Sequence, residues 1–242
     1  MIDVRIHKYI ADCGIMSRRA AEEAVKRGEI KVNGEVAELG MKIDTESDVI
    51  EYKGKTVKPL KRRNEYIILN KPVGYVTTLS DEKGRPCIKD LISDIDVRVY
   101  PVGRLDYDSE GLLLLTNDGE LTARLTHPRH GIAKYYNVTV KGQVTMQQRK
   151  LLSSEMVIDG YKIMPVKNEI VSMREDKTVL GMELYEGRNR QIRKMCEKAG
   201  LEVTKLRRIA IGQIELGNLK PGCWKRLTGA QIEYLKTACK MK

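Results

Sequence analysis

What this sequence lacks narrows it before any motif is read. Hydrophobic residues make up 41% of its 242 positions, yet no apolar run approaches the length of a membrane span. The N-terminus has no basic-then-apolar leader pattern. The five cysteines, Cys13, Cys87, Cys196, Cys223 and Cys239, are scattered, with no C-x-x-C spacing. An odd set of thiols without a leader is expected to stay reduced, so the expectation is a soluble cytoplasmic chain with no membrane partner. Histidine is scarce. His127 and His130 stand three apart, but Pro128 between them breaks the helix that would present them as a metal pair. There is no phosphate-cradling glycine loop, no internal repeat and no low-complexity tail. A resident metal or cofactor is therefore not expected.

Charge is what the chain has in excess. The formal net charge is +11. Lysines and arginines release counterions when set against phosphates, so such an excess favours a polyanionic partner. The excess is also clustered: residues 186–226 hold eleven Lys/Arg against four Asp/Glu. Clustering favours nucleic acid over a merely solvated basic surface.

One stretch organises the rest. Gly103–Gly119 reads GRLDYDSEGLLLLTNDG, preceded by the apolar run Val97–Val102. Four leucines in a row between turn residues predict a strand buried on both faces. Asp106 then sits at the lip of a buried sheet, where packing calls for no carboxylate. A charge on a rigid frame suggests a site. A turn aspartate capping backbone N–H groups is the plainer alternative.

The stretch resembles the central signature of RNA pseudouridine synthases, in the branch that modifies ribosomal RNA at single positions. The resemblance makes Asp106 the catalytic carboxylate. Ser109 stands where the family commonly has threonine, and both carry a hydroxyl. Two further stretches match. Asn70-Lys71-Pro72-Val73-Gly74 resembles the first signature, which implies scaffolding under the active site more than an RNA contact for Lys71. Glu186–Gly200, EGRNRQIRKMCEKAG, resembles the third, predicts a basic helix opened by Gly187, and implies that Arg193 pairs with Asp106. The K-x-Y-x-V run Lys134–Val138 resembles the segment that sets a tyrosine against the target base, here Tyr136, with Tyr135 on the other side of the strand. Leu206 is then expected to line the base pocket and Arg104 to contact substrate.

The first sixty residues read as a separate module. Ile6 and Ile10 predict a helix stopped near Gly14. Ser17 predicts the cap of a second helix, Arg18–Arg27, and Asn33-Gly34 a hairpin. Arg5, Lys8, Arg18, Arg19, Lys26 and Arg27 give the two helices a basic face. The run resembles the S4 RNA-binding module, which implies RNA contact for Arg5, Ser17, Arg18 and Arg19. Lys53–Asn64, with Pro59, predicts a basic linker. Residues 1–60 are therefore expected to form the S4-like module and 61–242 the catalytic domain. The fold class is α+β: a small α/β module, then a mixed, largely antiparallel sheet with flanking helices. Trp224, the single tryptophan, is expected in the core.

The reaction implied breaks the N1–C1′ bond of uridine, turns the base and joins C5 to C1′. One carboxylate suffices, as nucleophile on the sugar or as base at C2′. The expected partner is ribosomal RNA or a pre-ribosomal particle, met by a monomer. The E-G-R-N-R-Q-I-R form leans toward the B-type synthases that act on large-subunit ribosomal RNA; a small-subunit enzyme is the alternative. Two readings of other classes stay open: a magnesium site at Asp106 and Asp108, from their D-x-D spacing, and an inactive S4-type adapter.

Overall fold

Leu112–Leu115 are each at most 3% exposed, in the middle of a nine-stranded sheet. The computed structural model describes residues 3–58, 63–127 and 131–241. The chain divides into two units, Met1–Asn64 and Glu65–Lys242. The expected boundary at Leu60 and the linker residues Pro59, Lys61 and Arg62 lie outside the described residues, as do Pro128 and His130.

The first unit runs β1 (Asp3–Arg5), α1 (Ile6–Asp12), α2 (Arg18–Lys26), β2 (Ile30–Val32), β3 (Glu35–Val36), β4 (Lys42–Asp44), β5 (Ile50–Tyr52) and β6 (Lys55–Thr56). Ser17 Oγ accepts from the Ala20 N–H at 3.1 Å and caps α2. Asn33 and Gly34 both have positive φ, the geometry of a tight two-residue hairpin, and join β2 to β3. Ile6, Ile10, Ala21, Ala24, Ile30, Ile43 and Ile50 form its core. The basic run that reads as a linker begins inside this unit. Lys53 and Gly54, both at positive φ, turn β5 back into β6, and Val57 is buried in the same core. Lysine-rich composition hid a two-residue hairpin.

The second unit runs β7 (Tyr66–Lys71), a 3-10 turn (Ile88–Leu91), β8 (Tyr100–Pro101), β9 (Glu110–Thr116), α3 (Gly119–Thr126), β10 (Lys134–Lys141), α4 (Met146–Leu152), β11 (Met156–Ile158), β12 (Tyr161–Ile163), β13 (Lys167–Met173), β14 (Lys177–Leu184), α5 (Gln191–Lys198), β15 (Val203–Ile211), β16 (Ile214–Glu215), β17 (Trp224–Arg226) and α6 (Gly229–Ala238). Its sheet has the order β13-β14-β10-β15-β9-β7-β17, with β8 on β9 and β16 on β15. Every pairing in it is antiparallel except β9 with β15, so the sheet is mixed and largely antiparallel.

The leucine run divides by parity, as period two requires. Leu112 and Leu114 pack with Ile68, Leu121, Ile214 and Leu235, whereas Leu113 and Leu115 pack with Ile67, Leu69, Ile88 and Leu105. Apolar partners on both faces are what four successive leucines demand. Asp118 caps α3 through the Leu121 N–H at 2.9 Å. Asp159 and Gly160 take positive φ and fold β11 onto β12. α5 begins at Gln191, four residues after Gly187, with Arg190 in a left-handed conformation at its start. Trp224 is partly buried beside the second core, and its Nε1 donates to Asp94 at 2.9 Å.

Candidate active site

Asp106 lies in the loop between β8 and β9, and the N-K-P-V-G segment ties that loop down. Lys71, the last residue of β7, is fully buried. Its Nζ donates to the Ser109 carbonyl at 2.8 Å and to the Pro72 carbonyl at 2.9 Å. The Gly74 N–H donates to the Tyr107 carbonyl at 2.9 Å. Thr77 Oγ1 donates to the Leu105 carbonyl at 2.6 Å and accepts from the Leu105 N–H. The Ser109 N–H closes the turn on the Asp106 carbonyl at 3.1 Å. Backbone groups on both sides of Asp106 are thus held, while its carboxylate stays about one-third exposed. Burial pushes the Lys71 ammonium down to about 8, and Asp106, Asp108 and Glu110 pull it back upward.

Gly111 sets the depth of the site. It pairs with Lys71 on one side and with Arg208, across the parallel β9–β15 contact, on the other. A Cβ there would stand 2.2 Å from the Arg208 carbonyl, and φ is +106°. Only glycine lets the two strands meet at this point.

A cavity of about 280 Å³ opens beside this junction. Asp106 and Arg104 from the loop, Lys134 and Tyr136 from β10, and Leu206 and Arg208 from β15 all line it. Tyr135, the next residue along β10, lines a different groove, as alternation on a strand requires. Tyr136 stands opposite Arg208 in the β10–β15 register, and Val138 opposite Leu206.

Arg193 is not in that cavity, and it does not pair with Asp106. Its Nη2 donates to the Asp108 backbone carbonyl at 2.8 Å, its Nη1 to the Val203 carbonyl at 3.2 Å, and its Nε lies 3.2 Å from Asp108 Oδ2. The cation near Asp106 is Arg190, with Nη1 at 3.9 Å from Oδ2. Arg190 also grips Asp108 through two parallel bonds of 2.9 Å each. The reason is geometric. Arg193 is inside α5, and its side chain reaches the loop backbone two residues past Asp106. Arg190 precedes the helix in a left-handed conformation that turns its side chain toward the loop. Arg190 and Arg193 hold Asp108 below the usual carboxylate range, the hydrogen bonds from Arg190 first. Both Asp108 oxygens therefore face a guanidinium, and the D-x-D spacing serves charge pairing. Among the described residues, no three of His, Cys, Asp and Glu gather as a metal site.

Comparisons with known proteins bear on this geometry. The family model described as RNA pseudouridylate synthase matches residues 65–198, and that of the S4 domain matches residues 4–50. The chain belongs to the RNA pseudouridine synthase family. It is 43% identical over its full length to an RNA pseudouridine synthase of Aquifex aeolicus, of which 97% is covered. It is 40% identical to the ribosomal large subunit pseudouridine synthase B of Bacillus subtilis, over 96% of this chain and 95% of that one. A crystal structure of a pseudouridylate synthase superposes with a TM-score of 0.68 at 30% identity, over 96% of this chain and 99% of that one. The synthase thus carries an RNA-binding S4 domain ahead of its catalytic domain.

In the S4 unit, Arg5, Arg18 and Arg19 are exposed, and none makes an ion pair among the described residues. The other members of the basic face are engaged: Lys8 with Asp12, Lys26 with Glu23, and Arg27 with Glu29. Ser17 is occupied as a helix cap, which leaves its O–H as a donor. No described helix of the synthase is long and apolar enough to cross a membrane.

Sequence reading missed Arg190, Lys134 and Arg208 at the cavity. For Arg208 a signal was present. It stands two residues after Leu206, and both are buried and line the cavity. Alternation alone places this arginine on the inward face.

Proposed function

We propose that the synthase converts uridine to pseudouridine at a single position of large-subunit ribosomal RNA, with Asp106 as the catalytic carboxylate and no cofactor. One observation carries the reading: Asp106, Tyr136 and Leu206 come from three separate elements and line one cavity. The carboxylate is held on a tied loop, with Arg190 as its cationic neighbour. Tyr136 offers a ring face to an extruded base, and Leu206 an apolar wall. Arg104, at the mouth, meets the RNA backbone, and Arg193 acts from outside by fixing the loop that bears Asp106. In the reaction the C1′–N1 bond breaks, the base turns, C5 bonds to C1′, the C5 proton leaves and N1 gains one. Asp106 serves either as nucleophile at C1′ or as base at C2′. Arg5, Arg18 and Arg19 of the S4 unit add phosphate contacts. The 40% identity to the large subunit pseudouridine synthase B supports the choice of subunit. We further propose that the synthase works as a cytoplasmic monomer on ribosomal RNA or an assembling particle. Pseudouridine mapping of both ribosomal RNAs, in cells with and without this protein, tests the reading. One pseudouridine lost from large-subunit RNA is the expected result; a loss confined to small-subunit RNA would overturn the choice of subunit.

A further inference from the structure

The floor of the cavity holds a cation that this reading leaves unused. Arg208 is 5% exposed. Its Nε donates to the Leu112 carbonyl at 2.7 Å, which anchors the guanidinium to β9. Its Nη1 reaches Tyr136 Oη at 3.5 Å, a long contact. Its Nη2 is buried and has no hydrogen-bond partner among the described residues. Native structures rarely leave a buried charged donor unmet, so a partner is wanted at that nitrogen. No carboxylate is ion-paired with Arg208 among the described residues. Its cationic neighbour is Lys134, whose ammonium is pushed down by burial and then by Arg208 itself.

The surroundings choose the kind of acceptor. Leu206, Ile211, Leu114 and Leu125 make the walls near this floor apolar. An exposed guanidinium that suits a phosphate, that of Arg104, lines the same cavity. A buried donor among apolar walls and a tyrosine suits a flat ring with a carbonyl edge. We propose, resting on the function proposed above, that the Arg208 guanidinium, which lines this cavity, holds a carbonyl oxygen of the target uracil both before and after the base turns.

The turn itself supports a single fixed donor. Moving C5 to the place of N1 is a half-turn about the N3–C6 axis of the ring. That operation also exchanges O2 with O4. A donor that meets one carbonyl oxygen before the turn meets the other after it, with no movement of the protein. Cytosine has an amino group in place of O4. In one of its two orientations it would set a donor against a donor, so Arg208 also makes the site selective for uracil.

Release of tritium tests this, because C5 loses its hydrogen when it bonds to C1′. Three unmodified transcripts of large-subunit ribosomal RNA, tritiated at C5, would be compared: one with uridine, one with 2-thiouridine and one with 4-thiouridine. Sulfur is a poorer acceptor than oxygen. The parent should release tritium from each thio transcript roughly tenfold more slowly at saturation, the loss of one hydrogen bond to a charged donor. Arg208→Lys and Arg208→Gln should be slowed on the uridine transcript with little change in half-saturating RNA. Their thio penalty should shrink to about twofold, since neither side chain keeps the guanidinium geometry that sets a donor against the sulfur. Effects of sulfur on RNA folding cancel in the ratio of variant to parent. A thio penalty equal in parent and variants would overturn the proposal. So would a parent indifferent to both thio transcripts, a result that needs no variant to fold. A parent that releases no tritium even from the uridine transcript would overturn the proposed function, and this proposal with it.

Discussion

The arginines of the S4 unit and those of the catalytic unit share one chemical group and are used in opposite ways. Arg5, Arg18 and Arg19 stand exposed, without ion pairs among the described residues, on a face whose other cations are engaged by carboxylates. Arg190, Arg193 and Arg208 are tied by their nitrogens to Asp108, to the backbone of Asp108 and Val203, and to the backbone of Leu112. An exposed, mobile guanidinium meets phosphates wherever they fall and reads little else. A guanidinium fixed at two or three points holds a loop or a ring in place, and its removal leaves buried carbonyls unmet. On the function proposed above, the contrast would separate affinity from chemistry.

Four experiments sharpen or break that contrast. The largest effect belongs to Asp106→Asn. The amide keeps size and acceptor capacity, so fold and RNA affinity should stay close to those of the parent. Pseudouridine formation should fall by on the order of 10³-fold or more. Turnover near the parent rate would reduce Asp106 to a turn residue and leave the catalytic side of the comparison empty.

Next comes Arg193→Ala, which strips the Asp108 and Val203 carbonyls of their donor and Asp108 of a charge neighbour. Urea unfolding should show a loss of about 2–3 kcal/mol, against less than about 0.5 kcal/mol for Arg18→Ala. Equal losses at the two sites would erase the distinction drawn here.

Lys71 tests whether the loop rests on a buried charge. Its folded-state pKa of about 8 is below the ordinary 10.5 of lysine. Below pH 8 the ammonium is charged in both states and its burial weakens the fold in full. As pH rises from 8 toward 10.5, the folded chain gives up the proton first, so this penalty lifts and stability rises. Between pH 7.5 and 9.5 the parent should gain about 2 kcal/mol relative to Lys71→Met, measured by denaturant unfolding at each pH. A constant difference would mean that Lys71 keeps its proton throughout.

The smallest effect on the fold is expected from the combined Arg5→Ala, Arg18→Ala and Arg19→Ala variant. Its melting temperature should barely move. The slope of log affinity against log salt should become shallower by about 2, since up to three fewer phosphates are neutralised. An unchanged slope would place the RNA on another face.

Much of this molecule was legible in one dimension. Four leucines between turns placed a strand buried on both faces, because a side chain pointing either way then needs an apolar neighbour. Ser17 and Asn33-Gly34 marked a cap and a hairpin through chemistry that acts within three residues. Signatures of local order marked Asp106, Tyr136 and Leu206, which line a single cavity. Local rules also misled where composition masked geometry, as at Lys53-Gly54, where two residues at positive φ turned the start of an apparent linker into a hairpin.

What lay beyond the sequence was pairing at long range. Arg190 and Arg193 are three residues apart and carry the same charge, so spacing cannot tell which of them faces Asp106. A left-handed residue ahead of α5 decides it, and that conformation persists because Asp108, eighty-two positions earlier, grips the side chain. The burial of Lys71 and of Arg208 follows from the meeting of β9 with β15 at Gly111, where the absence of one Cβ lets two strands close. Propensity, capping and alternation act through neighbours in the chain and can be read from it. A buried charge depends on which distant backbone carbonyls stand ready to receive it, and only the folded sheet brings them there.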